Sequence, residues 1–99
     1  MNLAGKAFDW SETKNEILIA HRGISFDEVA QLLSTGNYWQ SIPHPNPEKY
    51  PDQKLFLIPI DNYIFVVPYL IDGDRIYLKT IFPSRKLTAT YLKWRQSNG

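Results

Sequence analysis

Between residues 55 and 82 the chain carries three β-type apolar runs joined by turns too short for anything but reversal. Residues 55–60 (LFLIPI) meet Asp61-Asn62, a two-residue hairpin signal. Residues 63–71 follow, and Asp72-Gly73-Asp74 turns them into residues 75–82. Connections this short join antiparallel neighbours, because a parallel partner needs a crossover of a dozen residues or more. Residues 38–42 add a shorter β-prone run ahead of them. The predicted sheet therefore has four antiparallel strands. Pro59 and Pro68 fall inside two of them. Neither has an amide to donate, so each must sit at a bulge or where that amide position faces away from a partner.

The first third of the chain has helical periodicity instead. Ser11 is placed to cap a first helix whose apolar side is Ile17, Leu18 and Ala20, and Gly23 supplies a left-handed stop. Ser25 and Glu28 then form a capping-box pair. Phe26, Val29, Ala30 and Leu33 follow at i, i+3, i+4 and i+7, which is one helical face. Pro83-Ser84 closes the last strand. Leu87, Thr90, Tyr91 and Trp94 repeat the same spacing over a terminal helix at 84–96. The predicted order is α-α-β-β-β-β-α. The fold class is α+β, with the two N-terminal helices packed on the sheet and a C-terminal helix after it.

Ninety-nine residues suit a single domain, 1–99. Within it, 1–7 reads as an N-terminal extension and 44–53 as a Pro-rich loop. The absence of cysteine excludes disulfides and thiolate metal sites. No apolar run approaches the ~20 residues of a membrane span, and residues 1–6 lack the apolar core of a signal peptide. A soluble, cytoplasmic protein with no membrane partner is expected.

The net charge of +1 conceals a division. Residues 1–74 hold five bases and all ten acids, formally −5; residues 75–99 hold six bases and no acid, formally +6. A segment so basic suits a polyanion or an acidic partner; the plainer alternative is a solvated helix face. Alternation along the last strand puts Ile76, Leu78, Thr80 and Phe82 on one face and Arg75, Tyr77, Lys79 and Ile81 on the other. Lys79 beside Tyr77 is a phosphate seat with a stacking neighbour; alternatively, its stem runs past Tyr77 to water. Arg85 and Lys86 follow where a helix starts, and amides there favour phosphate too.

Two histidines are present. His21, near the end of the first helix, reads as a surface residue. His44 opens the Pro-rich loop, where prolines at 45, 47 and 51 restrict the backbone around His44, Lys49 and Tyr50. That makes His44 either a positioned proton carrier or part of a rigid surface loop. The histidines are too far apart to signal a metal site, and no cofactor motif is present.

Phe8-x-Trp10-x-x-x-Lys14, then Arg22-Gly23-Ile24-Ser25-Phe26-x-x-Val29, resembles the opening of the BrnT toxin family. The later Ile81-Phe82-Pro83-Ser84-Arg85-Lys86-Leu87-Thr88 with Tyr91 is similar to the closing segment of a BrnT-like subgroup. The likeness runs from about residue 8 to residue 92. The family's Asp after Trp is Ser11 here, and its Lys-His before the turn reads His21-Arg22. Its Ser-Ala-Arg-Arg stretch is replaced by Lys79-Thr80-Ile81-Phe82.

The resemblance implies a RelE/ParE-like fold and the toxin of a type II toxin–antitoxin pair. It implies a metal-independent ribonuclease that blocks translation, neutralised by a ribbon-helix-helix antitoxin through which alone it meets operator DNA. On that expectation Lys79 and Arg85 hold the phosphate, and His44 or Tyr91 moves a proton. Arg75, Lys86 and Lys93 contact the RNA backbone, and Tyr77 stacks a base. The alternatives are a non-enzymatic member acting through protein binding, or a ParE-like inhibitor of DNA gyrase. Trp39, Tyr38 and Trp94 are either core or the walls of a partner's groove.

Overall fold

The computed structural model describes residue 3 and residues 5–98. The remaining positions of the expected N-terminal segment, 1, 2 and 4, lie outside the described residues. The elements are β1 (Ala7–Asp9), α1 (Glu12–Arg22), α2 (Phe26–Ser34), β2 (Gln40–Pro43), β3 (Lys54–Ile60), β4 (Tyr63–Asp72), β5 (Arg75–Leu78), β6 (Phe82–Pro83) and α3 (Arg85–Asn98).

The caps act as the sequence predicts. Ser11 accepts the Lys14 amide through its side chain, and Ser25 accepts the Glu28 amide. Gly23 closes α1 at φ 67°, the left-handed region that glycine enters without a Cβ penalty. Asp61 and Asn62 both take positive φ, 53° and 65°, as a two-residue turn between right-twisted strands requires. Pro43 ends β2 and Lys54 begins β3, and residues 44–53 connect them.

The sheet differs from the expected four antiparallel strands. It is mixed and six-stranded, in the order β1-β5-β4-β3-β2, with β6 also on β4. β1 is parallel to β5, pairing Ala7 with Arg75 and Asp9 with Tyr77. Part of the supposed N-terminal extension is therefore structure: Ala7 begins a strand and Leu3 is buried in the core. Three residues are too few for alternation to announce an edge strand. A parallel strand at an edge also needs no turn next to its partner.

The predicted last strand is split. The Lys79 amide donates to the Pro68 carbonyl at 2.8 Å, but Pro68 has no amide to return the bond. The ladder lapses, and pairing resumes only with Phe82 opposite Val66. This irregularity reverses the alternation beyond Lys79. Ile81, expected opposite Leu78, is fully buried with Ile76 and Leu78, while Phe82 is exposed. Pro59 sits opposite Ile64. The two-residue turn makes Ile60–Tyr63 a bonded pair, so the next pair is unbonded and Pro59 loses no bond to β4.

Each sheet face has its own core. On the first face, Leu18, Ile24, Phe26, Val29 and Leu33 of the α1–α2 region pack on Phe56, Ile58, Val67, Tyr69, Ile76, Leu78 and Ile81. Phe56 and Tyr69 stack at 3.8 Å. On the second face, Leu87 and Tyr91 of α3 pack on Leu55, Leu57, Ile64 and Val66, with Trp39 and Ile42. Among the described residues no helix is long and apolar enough to cross a membrane.

Candidate functional site

The second face is where the predicted residues gather. Side chains alternate along each strand. Ile42 is opposite Leu55, Leu55 opposite Pro68, and Tyr77 opposite Leu70. These residues share the second face, as does Arg75, two before Tyr77. Lys79 lies there as well: its ammonium sits 5.4 Å from the centroid of the Tyr77 ring, a cation–π contact on an exposed surface.

α3 covers only part of this face. Ser84 caps it, accepting the Leu87 amide. Buried Thr88 accepts the Ile64 amide at 2.8 Å and donates to the Ser84 carbonyl at 2.6 Å. Further along, Arg95 donates to Asn62 in the β3–β4 turn. Those contacts turn one flank of α3 toward that turn. At 100° per residue Lys86 and Lys93 fall 140–160° from Tyr91, on the outward side of the helix, and Thr90 stands on its flank. Arg85, 160° from Leu87 but 60° from Thr88, stands on the other flank, nearer the sheet than either lysine. The half-face floored by Pro68, Leu70 and Tyr77 is thus bordered by Lys79, and Lys86 and Lys93 do not join it.

Arg75 is engaged elsewhere. Its guanidinium meets the Asp9 carboxylate at 2.6 Å and 3.1 Å, tying β5 to β1 across an exposed surface. Arg75 is a neutralised edge staple, not a free cation.

His44 stacks on Tyr50, centroids 4.5 Å apart, and Lys49 lies 5.3 Å from the same Tyr50 ring. The His44 Nδ1 accepts the Asn46 amide at 3.0 Å. A nitrogen that accepts carries no proton, so the neutral ring holds its hydrogen on Nε2, which becomes its donor. The prolines do fix this loop, but they fix it away from Lys79. Counting three strand spacings and two residues along the strands, the backbones of His44 and Lys79 are roughly 16 Å apart.

Tyr91 packs against Trp39 at 5.0 Å and Trp94 at 6.1 Å. Trp39 and Trp94 are 5.5 Å apart. With Gly36, Asn37, Tyr38 and Pro59 they line a shallow groove of about 360 Å³. Tyr38 leans the other way, edge-on to Phe56 of the first core, so Trp94 is the exposed wall.

One polar residue escaped the sequence reading. Asn15, 4% exposed, accepts the Phe26 amide at 2.7 Å and donates to Asp27 at 3.1 Å. It joins α1 to the first turn of α2. Its one signal was its place three residues before Leu18, on the inward side of α1. Among the described residues no group of His, Asp and Glu is placed to hold a metal ion.

Comparison with protein-family models, with curated proteins and with solved structures finds no match to this chain.

Proposed function

We propose that the chain is a BrnT-like toxin of a type II toxin–antitoxin pair, with a RelE/ParE-like fold. On this reading it acts in the cytoplasm as a metal-independent endoribonuclease and is held inactive by a ribbon-helix-helix antitoxin. The observation that carries the reading is the Lys79 ammonium 5.4 Å from the centroid of the Tyr77 ring, on the half of the second sheet face that α3 leaves uncovered. Ammonium groups beside an exposed ring suit a single-stranded sugar–phosphate backbone with a stacked base.

In cleavage the RNA 2′-oxygen gives up its proton and attacks phosphorus. The O2′–P bond forms, the P–O5′ bond breaks, and the 5′-oxygen takes a proton. Lys79, on a rigid strand end, is placed to stabilise the charge that develops on the phosphoryl oxygens. A fixed cation aimed at developing charge lowers the barrier more than any other device open to such a site. Lys86 and Lys93, on the outward side of α3, are left for peripheral contacts to the strand. His44, in the Pro-rich loop, offers Nε2–H as a donor to a more distant part of the strand. Tyr91 is held in the aromatic cluster with Trp39 and Trp94, which favours a packing role. Arg85, on the flank of α3 beside Thr88, is placed for a contact near the helix start.

Purified protein incubated with RNA in EDTA tests this reading. Cleavage should persist without metal, and Lys79→Ala should lower it by about 10²–10³-fold, because Lys79 is exposed and its loss leaves the fold intact. Intact RNA, or full cleavage by the variant, overturns the assignment.

Two observations favour a non-enzymatic reading. His44 and Lys79 stand too far apart to act on one phosphate, and the exposed wall of Trp94 suits protein contact. Binding to DNA gyrase with an SOS response in expressing cells, and no RNA cleavage, would mark that alternative. A neighbouring reading frame with a ribbon-helix-helix pattern supports either toxin reading.

A further inference from the structure

A second basic region lies at the sheet edge, apart from the half-face above. Lys14, Ile17, His21 and Arg22 of α1, with Thr80 and Phe82 of the β5–β6 connection, line a groove there. Its floor includes Leu18 and Ile81, which belong to the first core. Two of its apolar side chains are left to solvent: Ile17 is 48% exposed and Phe82 37%.

The charge around this groove has one sign. Lys14, Ile17 and His21 recur at i, i+3 and i+7, with Arg22 alongside, so they share one flank of α1. The acids of α1, Glu12 and Glu16, are 160–200° away from Lys14 on the helical wheel. The lining residues include no carboxylate. Lys79 and Arg85 bracket the other wall in sequence.

The backbone beside the groove is also unpartnered. β1 pairs with β5 only as far as Asp9–Tyr77. β6 pairs with β4 alone, and among the described residues no strand lies beyond its outer edge. An open edge accepts an extended chain by main-chain hydrogen bonding. Pro83, without an amide, limits that edge to the residues before it.

We propose that this groove is the docking site for an extended acidic–apolar segment of a partner protein. The segment lies along residues 80–82, sets apolar side chains on Ile17 and Phe82, and directs carboxylates to Lys14, His21 and Arg22. The aliphatic surface of Ile17 matches an apolar side chain and offers nothing to a phosphate, which favours a protein segment over RNA. This docking is independent of any RNA chemistry at the second face.

The test uses the full chain and a fluorescent peptide of alternating Glu and Leu. Two further probes are the corresponding Lys–Leu peptide and a single-stranded RNA oligonucleotide. Saturable binding of the Glu–Leu peptide is expected, with the Lys–Leu peptide binding far more weakly. Ile17→Glu and Arg22→Glu should each weaken binding by roughly tenfold or more, equivalent to about 1.4 kcal/mol. Ile19→Glu is the control: Ile19 is as exposed, at 50%, but lies on the other flank of α1, and its substitution should change nothing. Circular dichroism confirms that each variant folds. No binding of the Glu–Leu peptide, equal binding of the Lys–Leu peptide, or binding that survives Ile17→Glu overturns the proposal. So does an equal loss with Ile19→Glu, or RNA binding that is lost with the same two groove substitutions.

Discussion

The two faces of the sheet are built from similar apolar strands but are covered differently. On the first, α1 and α2 seal a continuous core in which Phe26, Phe56, Val67, Tyr69 and Leu78 are fully buried. On the second, α3 seats Leu87 and Tyr91 near the β3–β4 turn and leaves Tyr77 and Leu70 only half covered. Lys79 stands on the second side, beside Tyr77. A face sealed by two helices supplies stability and leaves a ligand only its margin beside α1. A half-covered face keeps an apolar floor and can hold charged groups at its rim without desolvating them.

The largest difference should appear in the cores. Phe56→Ala, which removes a fully buried ring stacked on Tyr69, should cost about 3–5 kcal/mol in urea unfolding. Leu70→Ala on the half-covered face should cost about 1 kcal/mol. Equal costs would break the contrast between the faces.

Next in size is the joint between α1 and α2. Asn15→Leu leaves the first amide of α2 buried without its acceptor and should cost about 1–3 kcal/mol. A neutral result would mean that the helices are oriented by apolar contact alone.

The Asp9–Arg75 pair is exposed on both sides, so Arg75→Ala should change stability by less than about 1 kcal/mol. If RNA affinity is unchanged as well, the basic rim of the second face is sharpened to Lys79.

The smallest effect concerns alkaline pH. Burial pushes the Tyr69 phenol above its ordinary value of 10.0, and the Tyr38 phenol adds to this, while the hydrogen bond with Ser41 opposes them. Between the unfolded and folded values the unfolded chain binds fewer protons, so stability falls as pH rises there. The contribution of Tyr69 should be intact below about pH 10 and lost above it. Spectrophotometric titration should show one phenol ionising after the others.

Local chemistry accounts for what was legible in the sequence. Ser11, Ser25, Gly23 and Asp61-Asn62 act through backbone groups within a few residues, so their roles are visible without the fold. The α+β class and the Pro-rich loop followed from periodicity and from proline. The parallel edge strand did not, because Ala7–Asp9 gains its meaning from pairing with Arg75–Tyr77, far along the chain. The break after Leu78 has its cause in Pro68, on a different strand, and alternation alone carried Thr80 and Phe82 to the wrong side. For the candidate site, Tyr77 and Lys79 were correctly paired by period two. The capture of Arg75 by Asp9 depends on a tertiary contact that no local pattern encodes.

The central claim is that the half-covered second face, with Lys79 at its edge, is the working surface. The most direct measurement is RNA cleavage in EDTA by the native chain and by Lys79→Ala, with Lys14→Ala as a variant outside that face. The account predicts cleavage by the native chain and by Lys14→Ala, and loss of about 10²–10³-fold in Lys79→Ala. Undiminished cleavage by Lys79→Ala, or none by the native chain, would contradict it.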